Sequence, residues 1–155
     1  MRVTYDKAEA NKLISEVGAA PEMLVQILNA FVKEFSYISE EAVRHIAQEL
    51  NLSRADVHGV VSFYHDHRTE PAGKRLIKIC QAESCQAMGS KALTAHAVES
   101  LGTGLRETSE DGEVTLEPVY CLGNCACSPA IMIDDRVYGR VDAKRLDELV
   151  AAMRN

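Results

Sequence analysis

The sequence predicts an α/β (α+β) protein in two parts, a helical bundle over residues 1–70 and a mixed strand and helix domain over residues 71–155. Three observations carry this. Apolar residues recur at helical spacing through the front of the chain. A short break, "EPAG" at 70–73, interrupts that pattern. Beyond it the apolar residues fall into short runs that read as strands, with helical stripes between them.

The front elements each have start and stop signals. Asp6 caps a helix whose apolar positions include Leu13, Ile14 and Val17, and Gly18 ends it. Pro21 suits the first turn of a second helix, which carries Leu24, Ile27, Leu28, Phe31 and Phe35 on one face. Ser39 caps a third, with Glu40 and Glu41 at the positive end of its dipole and Ala42, Val43, Ile46, Ala47 and Leu50 as its stripe. Ser53 and Asp56 form a capping-box-like pair for a fourth helix from Arg54 to about Phe63.

After the break, Arg75–Ile79 reads as a buried strand. Ser90–Leu101 reads as a helix with Leu93, Ala97 and Leu101 on one face and Gly102 past its end. Asp111-Gly112 marks a turn before a strand at Glu113–Tyr120, and Pro118 implies that this strand has a free edge or an irregular end. Ala130–Ile133, Asp134-Asp135 and Arg136–Val141 read as a hairpin, and Leu146, Leu149, Val150 and Met153 as the stripe of a last helix. Strand, helix, strand, hairpin, helix is an order that suits a small α/β sandwich of the thioredoxin type, with a right-handed first crossover.

Composition narrows the function classes. The chain has 155 residues, is 46% hydrophobic and 26% charged, and has no tryptophan, which describes a globular protein. No apolar run approaches the roughly 18 residues of a membrane span. The N-terminus "MRVTYDKAEANKLISEV" has no signal-peptide core, so a cytoplasmic location with no membrane insertion is expected. Net charge is −6, and neither half offers the basic surplus that phosphate contacts require.

The five cysteines form two groups, Cys80 and Cys85, then Cys121, Cys125 and Cys127. In a reducing compartment, clustered thiols favour a metal over disulfides. Cys80 directly follows one strand and Cys85 sits just before a helix. Cys121 directly follows a second strand and Cys125 lies in the loop after it. If the strands are neighbours, four thiolates converge at one end of the sheet. The spacing is C-x4-C, then C-x3-C. Zinc is compatible with that spacing, whereas thioredoxin-type redox chemistry prefers C-x-x-C. A [2Fe–2S] cluster needs two thiolates on each of two irons, which suits the longer loops. Its charge, about −2 with four thiolates, needs donors. Gly123 can turn the "LGN" loop so that N–H groups face sulfur, and the helix after Cys85 would present its positive end. No Lys or Arg lies within either loop.

The stretches "CQAESC", "YCLGNC", "SPAIMIDDRVYGRV" and "VSFYHDHRTEPAGKRLIKIC" resemble the thioredoxin-like [2Fe–2S] ferredoxin subunits of NADH-oxidising modules. That family includes a small subunit of respiratory NADH dehydrogenase and its counterparts in NAD-reducing hydrogenases and soluble NAD-dependent formate dehydrogenases. The resemblance covers nearly the whole chain, including Val57, Phe63-Tyr64, Pro71-x-Gly73 and the turn in "ETSEDGEVTLEPVYCLG". "CQAESCQAMG" and "HGVVSFYHDHR" are most similar to the gamma subunit of the formate dehydrogenase branch. Carried over by position, the resemblance implies Cys80, Cys85, Cys121 and Cys125 as ligands of one [2Fe–2S] cluster. Cys127 departs from the pattern, since the family commonly has a small or apolar residue there. The resemblance also implies a flavoprotein partner carrying FMN, the NAD site and further Fe–S clusters, and a partner catalytic subunit containing molybdenum and Fe–S. Substrate chemistry would then belong to the partners, and this chain has no glycine-rich phosphate loop or hydride site of its own.

Two other classes are in competition. A zinc-stabilised interaction module would use the same cysteines without redox chemistry. "EEAVRHIAQELNLSRADVHGVV" looks like a helix-turn-helix, as in an Fe–S-sensing DNA-binding regulator. Its second helix has one Arg, one Asp and one His, poor material for base or phosphate contact, so these helices are read as a docking surface. His58, His65 and His67 are read as exposed or interfacial histidines rather than a second metal site.

Overall fold

Four helices make up the first of two compact units, Met1–Pro71 and Ala72–Asn155, in the computed structural model, which describes residues 5–154. Asp6 accepts the Glu9 N–H at 2.9 Å and opens α1, Lys7–Val17, satisfying one of the donors that a helix start leaves unpaired. A 3-10 turn at Pro21–Met23 leads into α2, Leu24–Phe35, which buries Leu24, Ile27, Leu28, Phe31 and Phe35. Ser39 Oγ accepts the Ala42 N–H at 3.1 Å to start α3, Glu40–Glu49. Ser53 and Asp56 cap each other reciprocally at the start of α4, Arg54–Phe63. The faces meet in one core around Ile27, Leu28, Phe31, Ile38, Ile46 and Val57. Each fully buried side chain of this size contributes about 1.5–3 kcal/mol.

One histidine reading is corrected here. His58 and His65 are exposed, but His67 is buried and its Nε2–H donates to Asn29 Oδ1 at 3.0 Å. A ring that long-range packing encloses must find a polar partner, and Asn29 on α2 supplies it.

The second unit is a mixed sheet with helices. Its elements are β1 (Arg75–Cys80), α5 (Glu83–Ala87), α6 (Ser90–Leu101), β2 (Glu107–Thr108), β3 (Val114–Val119), β4 (Ile131–Ile133), β5 (Arg136–Tyr138) and α7 (Ala143–Arg154). The sheet order is β2-β3-β1-β4-β5. β1 runs parallel to β3 and antiparallel to β4. Its core joins Ile77 and Ile79 of β1 to Leu93 and Ala97 of α6, Leu116 of β3, Ile131 of β4 and Leu146 of α7. Pro118 sits where the sequence requires. β2 pairs with β3 only at Thr115 and Leu116, and the Leu116 carbonyl faces that side by accepting the Arg106 N–H. Two residues on, the missing Pro118 N–H faces the same side, beyond the end of β2.

The bounds near the cysteines differ from expectation. Cys80 is the last residue of β1 rather than the first after it, and one residue, Tyr120, separates Cys121 from β3. Cys85 lies inside α5, a five-residue helix of its own, rather than ahead of α6. No helix of the described residues is long and apolar enough to cross a membrane.

Candidate functional site

The parallel pairing of β1 with β3 sets Cys80 opposite Val119, so both chain segments leave the sheet at the same end. Cys80 and Cys85 are each only 2% exposed, whereas Cys121 and Cys125 are exposed. Cys121 and Cys125 Sγ stand 3.8 Å apart. Between them Gly123 adopts φ 71° and donates its N–H to Cys121 Sγ at 3.3 Å. A side chain at that φ would be strained, so glycine allows the turn that aims this dipole at sulfur.

Two serines tie the cysteine-bearing segments together. Ser128 Oγ donates to the Cys125 carbonyl at 2.9 Å, lies 2.9 Å from Ser84 Oγ, and accepts from Cys85 Sγ at 3.4 Å. Ser84 Oγ also donates to the Cys125 carbonyl, at 3.2 Å. Each cysteine pair thus has a hydroxyl beside it, and the two hydroxyls meet. Sequence reading missed both, although each adjoins a cysteine group.

These contacts shape the thiols. Burial resists ionisation of Cys85, but hydrogen bonds with Ser128, the Ala130 backbone and Cys80 outweigh it and hold the thiol below its usual value. Cys125 moves the other way, raised first by its hydrogen bond with Cys121 and by that neighbour's charge, then by burial, Cys85 and Cys80.

Cys127 occupies a different position. It ends the 3-10 turn Cys125–Cys127, is half-buried, and its carbonyl accepts the Arg140 N–H at 2.6 Å. Among the described residues, no three His, Cys, Asp or Glu side chains are grouped closely enough to hold a single metal ion. What the structure brings together is two pairs of thiols.

Residues 10–154 match the thioredoxin-like [2Fe-2S] ferredoxin family over almost the full chain. The chain belongs to that family. Among its relatives is an NADH-quinone oxidoreductase subunit of Pseudomonas aeruginosa, 34% identical over 128 residues, which cover 83% of this chain and 77% of the relative. The corresponding subunit from Rhizobium meliloti is 36% identical over 122 residues, covering 79% and 73%. The NADP-reducing hydrogenase subunit HndA of Solidesulfovibrio fructosivorans is 29% identical over 128 residues, covering 83% and 75%. A solved NAD+-reducing [NiFe]-hydrogenase superposes with a TM-score of 0.71 at 21% identity over 88% of this chain. This ferredoxin-family chain spans about a quarter of that larger chain, 23%, and the likeness is one of fold.

Proposed function

We propose that this chain holds one [2Fe–2S] cluster on Cys80, Cys85, Cys121 and Cys125 and serves as an electron-transfer subunit of a cytoplasmic NAD-dependent oxidoreductase complex. When bound, such a cluster supplies one-electron oxidation and reduction. The observation that carries the reading is that adjacent parallel strands deliver two thiol pairs to one end of the sheet, where Ser84 and Ser128 join their segments, in a chain of this family. The donor set fits the group. It is all cysteine, it is divided two and two, and a backbone N–H already points at one sulfur.

The residues of this chain do three things in that role. Cys80 and Cys85 enclose one side of the site from water. Cys121 and Cys125 leave the other side open toward a partner. Ser84 and Ser128 fix the two segments relative to each other. The partner is a flavoprotein subunit carrying FMN, the NAD site and further Fe–S clusters. Tyr120, 65% exposed beside Cys121, supports a protein contact there.

The finer assignment is to a formate dehydrogenase with a molybdenum- and Fe–S-containing catalytic subunit. It rests on "CQAESCQAMG" and "HGVVSFYHDHR". A second reading, the equivalent subunit of a respiratory NADH:quinone oxidoreductase or NAD-reducing hydrogenase, is favoured by the names of the relatives above.

Iron and acid-labile sulfide analysis of anaerobically purified protein tests the core of the proposal. Two irons, two sulfides and a rhombic EPR signal on reduction are expected. Stoichiometric zinc without visible absorbance overturns it. Co-purification of a molybdenum-containing subunit decides between the complexes.

A further inference from the structure

The four sulfurs form an enclosed pair and an open pair, and this division has a consequence for the chain before a cluster is bound. Cys80 and Cys85 are nearly inaccessible. Cys121 and Cys125 face solvent with their Sγ atoms 3.8 Å apart. A disulfide has S–S near 2.05 Å, so closing one asks these side chains to approach by roughly 2 Å. The loop between them turns at Gly123. Cys127 is half-buried, and its Cβ packs so closely on Gly139 that a Cβ added there would stand 2.6 Å away.

We propose that Cys121 and Cys125 of the cluster-free chain close a reversible disulfide when they meet an organic disulfide such as oxidised glutathione, and that this bond bars iron until a thiol reduces it. The inference rests on the reading of these cysteines as ligands. One Sγ, as thiolate, attacks the reagent disulfide. The reagent S–S bond breaks, one reagent thiolate leaves, and a mixed disulfide remains on the protein. The second Sγ attacks the protein sulfur of that mixed disulfide and expels the other reagent thiolate. The two cysteines lose two electrons and two protons, and one reagent disulfide becomes two thiols. The enclosed pair is out of the reagent's reach, so oxidation stops after one bond. A disulfide sulfur is no longer a thiolate ligand, so half of the donor set is withdrawn while the other half stays reduced.

The test uses the full-length chain, cluster-free and reduced, treated with oxidised glutathione under anaerobic conditions. The intact mass should fall by about two units, the change for one disulfide, with unchanged helical circular dichroism. Unfolding and alkylation should then find three free thiols of the five, with the bond mapped to Cys121–Cys125 and reversed by dithiothreitol. Cys127→Ser should form the same bond, and Cys121→Ser should stop at a glutathione adduct. Loading with ferrous iron and sulfide, followed by visible absorbance and by peptide mapping of the loaded protein, should build no cluster on chains that still hold the bond, since sulfide can itself open a disulfide. Five free thiols, a stable mixed disulfide on the native chain, or a bond that involves Cys80, Cys85 or Cys127 overturns the inference alone. If a cluster is found on chains in which peptide mapping after loading still shows the Cys121–Cys125 bond, the ligand reading fails, and the inference with it.

Discussion

Gly139 lies against Cys127 and Asn124, with no room for a side chain of its own. A Cβ built on Gly139 would stand 2.6 Å from Cys127 Cβ and 2.8 Å from its carbonyl oxygen. The Arg140 N–H donates to that same carbonyl at 2.6 Å, so the segment just after β5 clamps the turn that carries Cys125. Neither backbone can yield as a long side chain would. Gly139→Ala should therefore cost roughly 1–3 kcal/mol, the usual penalty for overpacking, seen as a lower thermal midpoint. Iron content should fall with it, because Cys125 rides on the displaced turn. An unchanged midpoint would show that the contact relaxes freely.

Ser128→Ala removes the hydroxyl that joins Cys85, Ser84 and the Cys125 carbonyl. A net loss of about 1 kcal/mol per hydrogen bond is expected, measured by denaturant unfolding. If Cys85 is a ligand, its sulfur carries no proton in the loaded protein and the Ser128 O–H can turn to donate to it; loss of that donor should then lower the reduction potential, because such bonds favour the more negative, reduced state. Ser128→Thr keeps the hydroxyl and should restore the potential in a spectroelectrochemical titration. Equal potentials for the alanine and wild-type proteins would remove Ser128 from this role.

A third prediction concerns pH and the first unit. Tyr5 Oη donates to His45 Nδ1, and His45 Nε2–H donates to Asn11 Oδ1 at 2.8 Å. These bonds fit a neutral ring with its proton on Nε2. Burial is the main cause that lowers its pKa, assisted by Lys7 and opposed by Glu49 and Glu41. His67 is lowered in the same way, chiefly by burial. In both cases the unfolded chain takes up its proton first as pH falls below about 6.5. Stability is then full above that value, declines as pH drops, and stops declining once the folded rings are protonated. Thermal midpoints across this range should show the fall, and His45→Gln should flatten part of it. A wild-type profile that is level through mildly acidic pH would refute the assignment.

The helices of the first unit were legible because their signals are local. Asp6, Ser39 and the Ser53–Asp56 pair each bond to a backbone N–H three residues away, and the apolar stripes need only the helical period. β1 and the β4–β5 hairpin were legible for similar reasons. What escaped is set by distant partners. β2 is only Glu107–Thr108 and exists through its pairing with Thr115 and Leu116. α5 is too short to show a period and has no side-chain cap. The burial of His67 depends on Asn29, and the Ser84–Ser128 contact spans the site itself. For the thiols, the sequence placed each pair at a strand end but left the adjacency of the two strands as a condition, which the pairing of β1 with β3 meets. The difference in exposure between the two pairs was not legible, because it depends on how α5 and the Cys125–Cys127 turn close over the sheet end.

The cysteines themselves give the sharpest prediction, because Cys125 and Cys127 share one short turn and differ in what they face. Cys125 Sγ lies 3.8 Å from Cys121 Sγ, and its carbonyl takes hydrogen bonds from Ser84 and Ser128 beside Cys85. Cys127 packs its Cβ toward Gly139. Cys125→Ser replaces a soft thiolate with a hydroxyl that binds iron poorly at neutral pH, so it should lose or severely damage the cluster. Cys127→Ser is nearly isosteric at a half-buried position and should keep iron, sulfide and visible spectrum, with a stability change within about 1 kcal/mol. Both variants should melt cooperatively, which separates ligand loss from misfolding. If Cys127→Ser strips the iron while Cys125→Ser retains it, the second pair is Cys121 with Cys127, and the turn must rotate on loading to bring Cys127 away from Gly139.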